Sequence, residues 1–131
     1  MTTPLWCVAI GCLLPYVWGI LAQAGRFKKV GRKFDNKLPR VQQMEMTGWC
    51  ARAYGAHNNA FEAILVFAPA VIIATMVGAD PVWTERLAIA WVGFRVAHGL
   101  LYIANVDIVR TLLFVGGYTC AMGMFVLAAQ A

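Results

Sequence analysis

An all-α integral membrane bundle of four helices is the fold class this sequence predicts, and three observations carry it. Of 131 residues, 61% are hydrophobic and 13% charged, against roughly a quarter charged in an average soluble domain. Four apolar stretches are each long enough to cross a hydrocarbon core of about 30 Å. The basic residues crowd between the first two: the net charge is +5, and Arg26, Lys28, Lys29, Arg32, Lys33, Lys37 and Arg40 all fall in one linker. A basic cluster between apolar segments follows the positive-inside rule, so nucleic acid is not an expected partner. The length fits a single domain.

The first span is read from about 4 to 24. It ends in Ala22-Gln23-Ala24, a string like a signal-peptidase site. No positive segment precedes it, and the apolar run is longer than a signal-peptide core, so it is expected to remain in the membrane. Pro15 predicts a kink whose freed carbonyl neighbours satisfy, and Gly11 and Gly19 predict close approach of another helix. The basic linker, 25–47, is broken by Gly31 and by the turn Asn36-Lys37-Leu38-Pro39. It is placed in the cytoplasm, where its cations determine topology and contact anionic lipid. Arg26, at the end of the span, is expected to reach back toward a pocket at the membrane face.

The second span, about 47–77, begins polar and turns apolar. On a helix, Arg52, Gly55, Asn59 and Glu62 fall within about 80° of one another, so a cation, an amide and a carboxylate share a face. His57 points elsewhere, near Tyr54 and Phe61. Pro69 predicts a second kink. Asp80-Pro81 reads as an N-cap followed by proline in the first helical position.

The third span, about 81–105, carries Arg95, His98, Tyr102 and Asn105 at i, i+3, i+7 and i+10, again within about 80°. An arginine inside a span costs about 2.5–3.5 kcal/mol on insertion scales and needs a partner or a wet cavity; Glu62 is the expected partner of Arg95. The short connection Val106-Asp107-Ile108-Val109 predicts a tight antiparallel hairpin with Asp107 as N-cap. The fourth span, about 108–129, opens with Arg110 and Thr111, and Gly116, Gly117 and Gly123 supply packing surfaces. Both termini are then periplasmic.

Cys7, Cys12, Cys50 and Cys120 form no ligand-like cluster with the two histidines, so neither a metal site nor a disulfide framework is indicated, and small buried hydrophobes are expected. The polar residues make a stronger pattern. The predicted topology brings Arg26, Arg52, Asn59, Glu62, Arg95, His98, Tyr102 and Arg110 to similar depth at the cytoplasmic interface. Hydrogen bonding within the bundle is the plain structural reading. Four arginines facing at most one buried carboxylate would repel, however, and an anionic, hydrogen-bonding ligand is expected between them.

These residues also carry a resemblance. Ala56-His57-Asn58-Asn59-Ala60-Phe61-Glu62 resembles the helix-two motif Ala-His-x-Asn-x-x-Glu of the MAPEG family, the membrane-associated proteins of eicosanoid and glutathione metabolism. Gly93-Phe94-Arg95-Val96-Ala97-His98, with Tyr102 four residues on, resembles the helix-three motif of the prostaglandin synthase branch, and Arg110-Thr111 resembles the arginine-serine pair that opens helix four. The likeness covers nearly the whole chain and is similar to bacterial members. It implies a homotrimer with glutathione bound between subunits at the cytoplasmic side of the inner membrane. By that carry-over Asn59 and Glu62 contact the tripeptide, Glu62 at the γ-glutamyl ammonium; Arg26, His98 and Tyr102 line the site; Arg110 stands at the sulfur and Thr111 donates to it. Gly55 stands where many members have an arginine, for which Arg52 is expected to substitute, and Phe114 stands where some have a tyrosine.

The function implied is a glutathione-dependent transferase or peroxidase acting on lipophilic electrophiles or lipid hydroperoxides that enter from the bilayer. The alternative is a non-catalytic membrane subunit or scaffold of the same fold. A transporter finds no inverted repeat and no carboxylate relay.

Overall fold

Residues 1–131 are described by a computed structural model that is 85% helical, without strands. Helix α1 spans Thr3–Val30 and runs past the apolar stretch because nothing between Gly25 and Val30 breaks it; Gly31, at φ 53°, does. A single 3-10 turn, Gly31–Lys33, and a short helix α2, Pro39–Met44, follow in the linker. Three long helices follow: α3 Trp49–Met76, α4 Pro81–Ala104 and α5 Asp107–Ala129. Helices α1, α3, α4 and α5 are each long and apolar enough to cross a membrane.

Helix α3 is central and packs against α1, α4 and α5, whereas α1 and α5 share no contact. The deepest packing lies midway along the bundle, where Phe67 of α3 and Trp91 of α4 stack at 3.8 Å between ring centroids, nearly parallel. Val71, Met124 and Ala88 are fully buried around them. Outward-facing side chains such as Leu13, Ile20, Leu65 and Leu112 are exposed and apolar. That distribution suits a lipid solvent, where an exposed leucine carries no penalty.

Small residues set the helix spacing. A Cβ at Gly11 would sit 2.6 Å from Ile64, and one at Gly19 would sit 2.8 Å from the His57 ring. Pro15 and Pro69 both lie inside continuous helices. The carbonyl of Pro15 receives a hydrogen bond from His57 Nδ1 at 2.8 Å, so His57 ties α3 to α1. Its ring stacks on Tyr54 and meets the edge of Phe61.

The two hairpin turns use different chemistry. Asp80 caps α4, its Oδ1 accepting from Val82 N and Trp83 N, both at 2.9 Å. At the other turn the expected cap is displaced by one residue: Val106 occupies the N-cap and Asp107 is the first residue of α5. Asn105 also departs from expectation. It leaves the polar face of α4 as a left-handed C-cap, φ 65°, because the chain must reverse within two residues. Cys12 is exposed, unlike the buried Cys7, Cys50 and Cys120.

Packing at Gly99 generates a prediction. A Cβ there would collide with the buried Trp18 indole, while at Gly93 it would meet nothing. Gly99→Ala is expected to destabilise by about 1–3 kcal/mol, read as a lower thermal midpoint in detergent, with Gly93→Ala leaving the midpoint unchanged.

Candidate functional site

The polar constellation is assembled around Arg95, which projects from the middle of α4 and is 3% exposed. Its Nη2 donates to Asn59 Oδ1 on α3 at 2.7 Å. Its aliphatic stem lies against the backbone of α5, where a Cβ at Gly117 would stand 3.6 Å from Arg95 Cδ. The guanidinium carbon lies 5.4 Å from the centre of the Phe114 ring. An amide, a glycine surface and a π-face therefore surround the charge, and none of them neutralises it. The expected Glu62–Arg95 ion pair is not made. Asn59, one turn earlier on α3, takes the guanidinium, and Glu62 is exposed.

One turn along α4, His98 is buried with its ring 5.7 Å from that of Tyr102, edge on, and 6.2 Å from that of Phe114. A further turn on, the guanidinium of Arg110 lies 4.1 Å over the Tyr102 ring. The opposite side of Tyr102 explains Gly55: a Cβ there would sit 2.7 Å from the phenol oxygen. The absence of a side chain at Gly55 is what lets Tyr102 lie against α3.

Glu62 and Arg95 line one crevice of about 210 Å³, together with Val66, Trp91, Phe114 and Tyr118. It leads from the charged residues into apolar and aromatic walls between α3, α4 and α5. Sequence reasoning missed Trp91 and Tyr118 as lining residues; an aromatic side chain in an apolar span carries no signal of which face it occupies.

Asn59, Glu62, Arg95, His98, Tyr102 and Arg110 are thus gathered by three helices. The other expected site residues are engaged differently. Arg52 Nε donates to the carbonyl of Ile103 at 2.9 Å, using that side chain to close the last turn of α4. Thr111 is exposed and its hydroxyl donates to the carbonyl of Asp107 at 3.1 Å. Arg26 does not share the depth of Arg95. It donates to the carbonyl of Pro39, lies 4.1 Å over the Phe34 ring and is 1% exposed, so the linker rather than the α3–α4–α5 cluster holds it. The linker folds back along α1 and covers it, which local periodicity does not encode.

Chemically, the cluster offers two guanidinium groups, an imidazole and a phenol around a half-buried amide, with one exposed carboxylate at its edge. The hydrogen bonds of Arg26, Lys29, Arg52 and Arg95 all go to neutral oxygens and none to a carboxylate. Such a set is suited to an anion that brings hydrogen-bond acceptors of its own.

In comparisons with known proteins, the family model described as MAPEG family matches residues 3–130. No curated protein matches the chain.

The Arg95–Asn59 contact yields a signed prediction. Asn59→Leu leaves the buried guanidinium without its acceptor and is expected to destabilise by about 1–3 kcal/mol. Asn59→Asp supplies a counter-charge and is expected to raise the thermal midpoint above wild type.

Proposed function

The chain belongs to the MAPEG family, and from that premise we propose that it is a membrane-bound, glutathione-dependent transferase or peroxidase acting on lipophilic electrophiles or lipid hydroperoxides. The observation that carries the reading is the pair of unneutralised guanidinium groups, Arg95 on a neutral amide and Arg110 on a phenol ring, among apolar helices. Glutathione brings two carboxylates and an ionisable thiol to such a site.

In this reading Arg95 and Asn59 hold a carboxylate, and Glu62, exposed at the crevice, receives the γ-glutamyl ammonium. Arg110 stands at the sulfur, where its charge favours the thiolate over the thiol. Tyr102 holds Arg110 over its ring while its hydroxyl end lies against Gly55, and Thr111 follows Arg110 in the first turn of α5. In the transferase reaction the thiolate forms a carbon–sulfur bond as the leaving group departs. In the peroxidase reaction the hydroperoxide O–O bond breaks as two glutathione thiols are oxidised to the disulfide, giving an alcohol and water. The rate gain comes from thiolate stabilisation and proximity. The aromatic walls of the crevice support a lipophilic co-substrate. A homotrimer belongs to this reading through family membership; Arg26, enclosed by the linker, is not offered to the ligand. By the positive-inside rule the linker faces the cytoplasm of a bacterial inner membrane.

One observation favours a non-catalytic MAPEG-fold subunit: Tyr102 packs over Gly55 and Arg52 is spent on Ile103, so the place where many members carry an arginine has no substitute cation. Binding and turnover separate the two. Glutathione at about a hundredfold its Kd is expected to stabilise the purified protein by about 2.7 kcal/mol, seen as a raised thermal midpoint. Arg110→Ala is expected to lower kcat/KM for conjugation by about 10²-fold. No thermal shift and no conjugation by wild type would overturn the enzyme reading.

A further inference from the structure

The linker helix α2 is built with its polarity inverted. Gln43 is buried, its Nε2 3.5 Å from Cys50 Sγ, and Cys50 Sγ in turn donates to the carbonyl of Ala22 at 3.2 Å. Gln42 is also turned to the protein, donating to the carbonyl of Lys33 at 2.8 Å and accepting from Asp35 N at 3.0 Å. The apolar residues face out: Leu38 is 60% exposed, Val41 53% and Met44 76%, at i, i+3 and i+6. Phe27 and Trp49 are exposed as well. In water this arrangement wastes apolar surface, since three side chains that burial would stabilise are left out while one amide is buried and a second half-buried.

Position along the bundle resolves the inversion. The bond from Arg26 to Pro39 and the relay from Gln43 through Cys50 to Ala22 hold α2 level with residues 22–26 of α1, not above the helix end at Val30. From Thr3 to Ala22 is about 29 Å at 1.5 Å per residue, which matches a hydrocarbon thickness of about 30 Å. Helix α2 thus sits at the boundary between acyl chains and headgroups.

Charge is concentrated at the same level. Residues 25–47 hold seven arginines and lysines against Asp35 and Glu45, which accounts for the entire +5 of the chain. Lys28, Lys29, Arg32, Lys33, Lys37 and Arg40 are all exposed.

We propose that α2 and its flanking cations form a lipid-docking element, with Leu38, Val41 and Met44 inserted among acyl chains and the cations paired with the phosphates of an anionic leaflet. The occupant is bilayer lipid bearing a negative headgroup. Apolar insertion fixes the depth and the cations select the headgroup, each cation near an anionic surface adding to the affinity.

The test is native mass spectrometry of the full protein in detergent with equal phosphatidylglycerol and phosphatidylcholine added. Wild type is expected to retain phosphatidylglycerol preferentially. Arg32→Gln/Lys33→Gln/Lys37→Gln is expected to lose that preference by at least about tenfold, and Val41→Ser/Met44→Ser to lower retention of both lipids. All five positions are exposed, and an unchanged thermal midpoint checks that each variant is folded. Equal retention of the two lipids by wild type, or unchanged retention in both variants, would overturn the proposal. So would dissociation of an oligomer by Val41→Ser/Met44→Ser without loss of lipid, which would make this face a contact between copies of the chain.

Discussion

The bond from Arg95 to Asn59 is the constraint on which the rest of the bundle turns. A guanidinium at 3% exposure has left water, and a single neutral amide at 2.7 Å is its only hydrogen-bond acceptor in the chain. Keeping it there requires both neighbouring helices at fixed registers: α3 to present Asn59, and α5 to offer the bare backbone of Gly117 to the arginine stem and the Phe114 ring face to the charge. A shift of any helix by one residue would leave the charge without these contacts, which in an apolar medium is far more costly than in water.

The same constraint divides the molecule in function. Midway along the bundle α3, α4 and α5 pack through Phe67, Trp91 and Met124, and the outer part of that packing supplies the apolar wall of the crevice at Trp91. Toward the linker the packing is polar and incompletely neutralised, with Arg95, His98, Tyr102 and Arg110 rising in successive turns beside Asn59. Tyr102 ties α5 to α3, since its ring supports Arg110 and its hydroxyl end lies against Gly55. Helix α1 takes no part in this cluster. Its contribution is Arg26, folded under the linker.

Much of this was legible in the residues. The four hydrophobic stretches, Gly11 and Gly19 as contact points, the Asp80 cap and the placing of His57 beside Tyr54 and Phe61 follow from spacing and from the cost of polar groups in lipid. The partner of Arg95 did not. Asn59 and Glu62 lie on one helical face, and formal charge favours Glu62; only the register of α4 against α3 decides for Asn59. The setting of Arg26 was hidden for another reason, because the fold-back of α2 depends on Gln43, Cys50 and Ala22, residues distant in sequence and unremarkable singly. Asn105 continues the polar spacing of α4 on paper, but the turn before Asp107 needs a left-handed residue, and asparagine is well suited to it.

The central claim is that Arg95 and Arg110 are held unneutralised so that an anionic thiol ligand completes the site. The most direct measurement is a density map, by electron cryo-microscopy, of the protein reconstituted in lipid with glutathione. The account predicts ligand density between α3, α4 and α5, with a carboxylate against Arg95 and the sulfur beside Arg110. It would be contradicted by a map at saturating glutathione in which Arg95 still rests on Asn59 alone, Arg110 on Tyr102 alone, and no ligand lies between them.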